Sequence, residues 1–160
     1  LRAVITGTGH DRARLEDIAK QLGDFQSGKR KSDTMKPQAE ELTPQEMKAL
    51  GSFFEKKKVS ARPARDAELL AVGKFIFNRG NAFSGLPACA SCHGAEGRGL
   101  RANGFISPAI GGQEWLYLDK QLREWRSGDR RNSSGGVMNL VTQGLTDEDI
   151  VALADYISAL

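Results

Sequence analysis

Cysteine is scarce in this sequence of 160 residues, which has only Cys89 and Cys92, three positions apart. That count excludes the framework of several disulfide bonds that stabilises many small secreted proteins. Long apolar runs are absent too, because no stretch approaches the ~20 residues that a membrane-spanning helix needs. The sequence starts at Leu1 without a basic and apolar leader. We therefore expect a mature or trimmed chain without a membrane span.

A large charge of one sign is missing as well. The formal net charge is +3, and basic residues form only short clusters at 29–31, 56–58 and 130–131. We interpret these clusters as solvated surface and predict no nucleic-acid partner. Hydrophobic residues make up 39% of the chain and charged residues 27%, which is typical of a globular protein with a buried core.

The sequence contains an internal repeat. Lys20-Gln21-Leu22 and Ser27-Gly28-Lys29-Arg30 recur 100 residues later as Lys120-Gln121-Leu122 and Ser127-Gly128-Asp129-Arg130. Farther along the chain the offset becomes 103, and it pairs Met35 with Met138. The pattern predicts two related units, and the alternative is chance similarity between two amphipathic helices.

Each unit is predicted to contain a helix, a loop and a second helix. Helical spacing places apolar residues on one face of the first helix of each unit. These residues are Leu15, Ile18, Leu22 and Phe25 in the first unit, and Trp115, Leu118, Leu122 and Trp125 in the second. Thr43 and Thr146 are expected to cap the second helices, with Glu46 completing a capping box at Thr43. A further helix over 66–79 contains Gly73, where Tyr156 is the candidate for a close approach. We therefore predict an all-α fold.

The two cysteines belong to the stretch Cys89-Ala90-Ser91-Cys92-His93. Two thiols at this spacing can each add to one vinyl group of a porphyrin, and the adjacent histidine can reach the iron, as in c-type haem attachment. A zinc site would need about four ligands, and only His10 remains as a further soft ligand. A thioredoxin-like pair would be expected within a βαβ pattern, which this chain lacks. We predict one covalent haem c on Cys89 and Cys92, with His93 as an axial ligand of the iron.

A methionine thioether is a common second axial ligand for such a haem. Met138 follows Gly135-Gly136-Val137 in a predicted loop between two helices, and a loop can fold over the open haem face. We predict Met138 as the second ligand, with a packing methionine as the alternative. Met47 lies on a predicted core face and is expected to pack. Met35 has the equivalent loop position in the first unit and would bind iron only if a second haem is present.

The ring of an iron-bound histidine usually donates its other N–H to a backbone carbonyl or a carboxylate. Pro108, in the stretch 107–113, is the candidate for that carbonyl because proline makes the local backbone rigid. An ordinary turn proline is the alternative. No paired acids, nucleophile triad or phosphate-binding loop is found elsewhere in the sequence.

With these residues, the sequence resembles the class I cytochromes c, and among them the two-domain cytochrome c4 group. The matching stretches are Cys89 to Gly94, 108–113, 117–122, Trp125 with Gly128 and Arg130-Arg131, Met138, 144–150, and Leu153 with Tyr156. The first 55 residues match only through the repeat. The resemblance implies an all-helical fold, iron held between histidine and methionine, a periplasmic location, and electron transfer to or from membrane oxidases or other redox enzymes.

The first unit departs from the family pattern because it has no Cys-x-x-Cys-His motif. The counterpart of that motif would fall before Leu1, so either residues precede Leu1 or the first unit has lost its haem attachment. A second haem belongs only to the former alternative. We predict a truncated or degenerate cytochrome c-like unit over residues 1–58, a linker over 59–66, and a cytochrome c domain with covalent haem over 67–160.

Two axial ligands leave no open position on the iron, so we predict an electron carrier and not an enzyme. The alternatives are a cytochrome subunit of a larger dehydrogenase and a haem peroxidase. The expected partners are redox proteins such as a membrane oxidase, a cytochrome bc1-type complex or a dehydrogenase. The expected location is the periplasm, with membrane association through a partner or a missing anchor as the alternative.

Overall fold

Helices form nearly all of the regular structure in the computed structural model, which describes residues 12–55, 61–102 and 105–160. The first three helices precede residue 56 and the remaining five follow residue 66. They are α1 Arg12–Gln26, α2 Met35–Ala39, α3 Pro44–Glu55, α4 Ala67–Arg79, α5 Ala90–His93, α6 Trp115–Ser127, α7 Val137–Thr142 and α8 Asp147–Ser158. The predicted all-α class is confirmed. Across the described ranges, none of the helices combines the length and the apolar character needed to cross a lipid bilayer.

One small hairpin accompanies the helices. Strand β1, Leu100–Ala102, pairs antiparallel with β2, Phe105–Ser107, and Leu100 lies opposite Ser107. The sequence did not predict these strands, because three residues are too few to reveal the alternating pattern of a strand. The hairpin lies between the Cys-x-x-Cys-His motif and Pro108, so it determines how the chain returns to the histidine.

Helices α3 and α8 begin where the sequence predicted caps. The Thr43 N–H donates to Glu46 Oε2 at 2.8 Å, and the Glu46 N–H donates to Thr43 Oγ1 at 3.3 Å, which completes the predicted capping box. Thr146 and Asp149 form the equivalent box at the start of α8. The loop predicted between the two helices of the first unit is wrong in one respect, because residues 27–42 contain the short helix α2.

The buried apolar side chains form two clusters, one from each half of the repeat. The first cluster consists of Ile18, Leu22, Phe25, Met35, Ala39 and Met47. The second consists of Ile76, Phe77, Leu86, Leu118, Leu145, Ile150, Leu153, Ala154, Tyr156 and Ile157. Of the predicted stripes, the first cluster contains Ile18, Leu22 and Phe25, and the second contains Leu118, with Trp115 and Leu122 packed against it. Burial of these side chains stabilises each half.

The second core depends on a close crossing of α4 and α8 at Gly73. A Cβ atom at Gly73 would overlap the carbonyl of Ala152 and lie 2.8 Å from Tyr156 Cβ. The predicted close approach of Tyr156 to Gly73 is therefore confirmed. The rings of Phe77 and Tyr156 pack beside this crossing, with their centroids 5.4 Å apart. Only glycine lets the two helix backbones come this near.

The described part of the predicted linker, residues 61–66, lies along α8. The backbone N–H of Arg65 donates to Asp155 Oδ1 at 2.9 Å, and that of Asp66 donates to Asp155 Oδ2 at 3.5 Å. Asp155 is fully buried, so its carboxyl group has no access to water, and these two backbone N–H groups supply its hydrogen bonds instead. The Arg65 guanidinium also stacks 4.5 Å from the centre of the Trp115 ring. These contacts with Asp155 and Trp115 hold residues 61–66 against the second unit.

A buried polar network joins the two units. Its members on both sides come from equivalent positions of the repeat: Gln21 with Gln121 and Arg30 with Arg130, together with Tyr117 and Asn132. Arg30 donates to Gln21 Oε1, Tyr117 Oη and Gln121 Oε1, each at 2.7 Å. Arg130 donates to Gln121 Oε1 at 2.6 Å and to Gln21 Oε1 at 3.2 Å. We call this set the inter-unit network.

Each arginine of the network also lies on an aromatic ring of its own unit. Arg30 lies 4.6 Å from the centre of the Phe25 ring, and Arg130 lies 4.3 Å from that of Trp125. Burial, and then the positive charge of Arg30, lowers the pKa of Arg130 to about 10. Arg30 is only 5% exposed, and Arg130 is half-buried. The interpretation of both arginines as solvated surface is therefore wrong, because acceptors from the other unit and a ring face replace their water.

Candidate functional site

The Cys-x-x-Cys-His motif forms a single tight turn. Cys89 is the residue before α5, and its carbonyl accepts hydrogen bonds from the N–H of Cys92 at 3.2 Å and of His93 at 2.9 Å. The turn ends at Gly94, which has a φ of +81°. Two thiols and an imidazole are therefore presented by one short segment, as attachment to one planar cofactor requires.

The two cysteines of the motif differ in exposure, since Cys89 is half-buried and Cys92 is exposed. Burial, and to a smaller degree the neighbouring Cys92, raises the pKa of the Cys89 thiol to about 11. A reactive or redox-active cysteine has instead a lowered pKa that favours the thiolate. This direction disfavours the thioredoxin-like alternative.

The imidazole of His93 is buried, with 8% of its surface exposed. Its Nδ1 lies 2.9 Å from the carbonyl oxygen of Pro108. Because a carbonyl can only accept, Nδ1 carries the proton and Nε2 keeps a free lone pair. Burial lowers the pKa of His93, although the bond to Pro108 opposes that shift. The side chain is thus a neutral, oriented donor of the kind that binds iron.

Two glycines that the sequence analysis did not single out bring Pro108 to this position. The N–H of Gly99 donates to the His93 carbonyl at 2.8 Å, and the N–H of Ile110 donates to the Gly97 carbonyl at 2.8 Å. At Gly99, φ is +82° and a Cβ atom would lie 2.7 Å from the Ser107 carbonyl. The glycine spacing after the motif, Gly94, Gly97 and Gly99, was the available signal for this tight return.

Met138 lies in the same unit, on a helix that packs against α6. The predicted loop position is wrong, because Met138 is the second residue of α7. Gly135 and Gly136 both adopt left-handed conformations, with φ of +61° and +68°, and reverse the chain so that a helix starts directly after them. The Asn139 side chain donates to the Trp125 carbonyl at 2.7 Å and to the Arg130 carbonyl at 2.8 Å. The backbone around Met138 is therefore anchored at its start.

The other two methionines lie in the first unit. Met35 is 3% exposed and Met47 is 5% exposed, and both belong to the first apolar cluster. Met47 packs in the core as the sequence predicted. Met35 starts the short helix α2.

Exposed apolar side chains occur on the elements next to the predicted site residues. Leu100 and Phe105 on the hairpin are 42% and 57% exposed, and Val137 and Leu140 on α7 are 42% and 66% exposed. These elements are the ones that lead to Pro108 and contain Met138. Two thiols, a neutral imidazole and a thioether are the donor set that a haem c would use, and His93 and Met138 are the residues predicted to hold its iron. Among the described residues, no group of three or more His, Cys, Asp and Glu side chains is placed to hold a metal ion.

Comparisons with known proteins give one consistent result. The profile of the family described as Cytochrome c matches residues 71–160. The chain is 34% identical to cytochrome c4 of Pseudomonas aeruginosa, over 89% of this chain and 70% of that protein. It is also 34% identical to a thiosulfate dehydrogenase electron acceptor of Stutzerimonas stutzeri, over 86% of this chain and 63% of that protein. The crystal structure of reduced cytochrome c4 from Pseudomonas stutzeri superposes with a TM-score of 0.84 and 32% identity, covering 98% of this chain and 83% of that one.

Proposed function

This chain belongs to the cytochrome c family, in its cytochrome c4 group, and we propose that Cys89 and Cys92 attach its haem while His93 and Met138 bind the iron. Its function is to transfer single electrons through haem c. When bound, the haem supplies an iron that cycles between the ferric and ferrous states. The chain's own residues attach the group, orient its ligands and exclude water.

The bond from His93 to Pro108 is the observation that carries the proposal. A buried histidine with a hydrogen-bonded Nδ1 has one free nitrogen, and its ring cannot rotate without losing the 2.9 Å bond. The carbonyl makes the imidazole a stronger donor to a metal. The one-turn helix places this imidazole beside Cys89 and Cys92, so the residues that would attach a haem and the residue that would bind its iron lie together.

The proposed role of Met138 makes the protein a carrier and not an enzyme. A thioether is soft and neutral, so it favours ferrous iron more than a second imidazole would and raises the reduction potential. With His93 and Met138 both bound, a haem iron would have no vacant position for a substrate. The same ligands serve both oxidation states, which keeps rearrangement small when an electron arrives or leaves.

We further propose the division of the chain into a cytochrome c-like unit over 1–58, a linker over 59–66 and a haem domain over 67–160. The two separate apolar clusters support the division. The haem domain contains all the residues assigned to the haem. Met35 would act as a ligand only toward a second haem.

The chain exchanges electrons with redox proteins, and we propose that one of them is a dehydrogenase. Support comes from the relative that is named an electron acceptor of thiosulfate dehydrogenase. A dehydrogenase of this kind releases electrons, which a haem held by His93 and Met138 would accept one at a time. We also propose a periplasmic location, as the resemblance to cytochrome c4 implies.

Replacement of Met138 by leucine tests the ligand assignment, since leucine preserves the side-chain volume but cannot bind iron. We expect the oxidised Met138→Leu holoprotein to lose the weak far-red absorption of sulfur-ligated haem. Its potential should fall, and its reduced form should bind carbon monoxide. Met47→Leu removes a buried thioether of the first unit and should change none of these properties. If Met138→Leu retains both the band and the potential, another residue is the ligand.

A further inference from the structure

The repeat brings two equivalent basic loops together at the boundary between the units. The loop after α1 contains Lys29-Arg30-Lys31, and the loop after α6 contains Asp129-Arg130-Arg131 at the equivalent positions. Both loops line one cavity, together with Glu124 and Gly128. We call this cavity the basic cleft. Its lining includes none of the residues assigned to the haem.

Positive charge predominates in the basic cleft. The lining has five cationic side chains and two acidic ones, a surplus of three positive charges. The Glu124 carboxylate accepts from Gln121 Nε2 at 2.9 Å, and the Asp129 carboxylate accepts from the Ser127 hydroxyl at 2.6 Å. Within the described ranges, no ion pair joins either acid to a cation of the lining. A cavity lined mainly by charges of one sign concentrates their field, so the basic cleft attracts anions.

Two of these cations are arginines of the inter-unit network that lack an ion pair. In the part of the chain that the structure describes, the guanidinium groups of Arg30 and Arg130 donate only to uncharged groups, the side chains of Gln21, Gln121, Tyr117 and Asn132. Each guanidinium has five N–H donors and uses three of them in these bonds. A buried charge without a partner of opposite sign is costly, and an anion in the cleft would offset that cost.

The other cations of the cleft are exposed. The ammonium groups of Lys29 and Lys31 form no hydrogen bond or ion pair with another described residue. Arg131 donates from Nε to the Gly128 carbonyl at 2.6 Å, which holds its guanidinium beside the second loop. Ammonium and guanidinium groups are the side chains that bind phosphate in proteins. Both units therefore contribute phosphate-binding groups to one solvent-accessible cavity.

We propose that the basic cleft binds a small ligand with two or more phosphate or similar oxyanion groups. The volume of the cavity is about 460 Å³, within the range of roughly 300–1,000 Å³ that is usual for small-ligand sites. A ligand with two anionic groups can contact the loop of each unit at once. Its binding neutralises the surplus positive charge and strengthens the association of the units.

The test is isothermal titration calorimetry of the holoprotein with pyrophosphate at constant ionic strength. The holoprotein is used so that the carboxylates of the haem itself are already present. We expect saturable binding to the wild type, and binding about tenfold weaker or less in Lys29→Gln/Lys31→Gln, which loses two charge-assisted contacts. Lys36→Gln/Lys48→Gln removes two exposed lysines of the same unit that do not line the cleft, and it should bind like the wild type.

A variant in the second loop tests the contribution of the other unit. Arg131→Gln removes a cation of that loop and should weaken pyrophosphate binding as well. Because a ligand that binds only the folded state stabilises it, pyrophosphate should raise the unfolding temperature of the wild type. The rise should be smaller for Lys29→Gln/Lys31→Gln than for the control variant.

The proposal is wrong if the wild type shows no saturable binding, or if the variants of the cleft bind pyrophosphate as tightly as the control variant does. Equal loss of the heat signal from all proteins when sodium chloride is added would indicate general ionic attraction and would also reject it. An unchanged haem spectrum in each variant verifies that the fold is intact. None of the replaced residues is assigned to the haem, so these outcomes leave the proposed function untouched.

Discussion

At the scale of single residues, the protonation state and orientation of the His93 imidazole are set by the groups around it more than by its position in a motif. The sequence motif predicted that a histidine would stand beside two cysteines. The structure adds burial and the bond to Pro108, which together leave a neutral ring with one free nitrogen. This arrangement follows from Gly97 and Gly99, which let the hairpin return tightly to the motif.

Substitution of His93 by alanine should abolish the low-spin spectrum of the holoprotein, because the iron would lose a strong-field nitrogen ligand. The measurement is the optical spectrum of oxidised and reduced protein. Ser91→Ala alters the same turn at an exposed side chain and should leave the spectrum unchanged. A normal low-spin spectrum in His93→Ala would show that His93 is not the ligand.

Short-range signals were sufficient for some of these residues and insufficient for others. The spacing of Cys89, Cys92 and His93 indicates haem chemistry without any knowledge of the fold. The burial of Arg30 could not be predicted in the same way, because its acceptor Tyr117 is 87 positions away in the chain. The local sequence of a basic cluster does not show whether its side chains are hydrated or hydrogen-bonded to a second unit.

At the scale of the elements, helices with both an apolar stripe and a cap were predicted well. α3 and α8 combine the two features, and both capping boxes form. The elements that were not predicted are α2, which has five residues, and the hairpin, whose two strands have three residues each. Elements this short depend on tertiary contacts, so their own sequences contain little information about them.

The crossing of α4 and α8 predicts opposite effects for two glycine-to-alanine substitutions. Gly73→Ala should destabilise the protein by about 1–3 kcal/mol, since the added methyl group overpacks the crossing. Gly23→Ala should stabilise it by roughly 0.5–1 kcal/mol, because Gly23 is helical and a Cβ there would meet nothing within 4 Å. Chemical denaturation measures both free energies of unfolding. Equal effects of the two substitutions would contradict the close crossing.

At the scale of the whole molecule, the two units are held together by a polar interface that repeats the symmetry of the sequence. Arg30 and Arg130 each stack on an aromatic ring and donate to glutamines of both units. The repeat predicted two related units but not this network, since equivalent residues need not meet.

Arg30→Ala should destabilise the protein by about 1–3 kcal/mol, because it removes the charge-assisted hydrogen bonds to Gln21, Tyr117 and Gln121, of which those to the two glutamines are buried. Chemical denaturation followed by tryptophan fluorescence is suitable, because both tryptophans, Trp115 and Trp125, lie in the second unit. Lys29→Ala removes an adjacent but exposed charge and should have little effect. If the two variants unfold alike, the network does not stabilise the molecule.

The central claim is that this chain holds one haem through covalent bonds to Cys89 and Cys92. The most direct test is the intact mass of the protein after production with haem-attachment machinery and extraction with acidified acetone. We expect the mass of the polypeptide plus one haem, with the colour retained on the protein. A mass equal to that of the polypeptide alone, with free haem in the acetone, would contradict the claim.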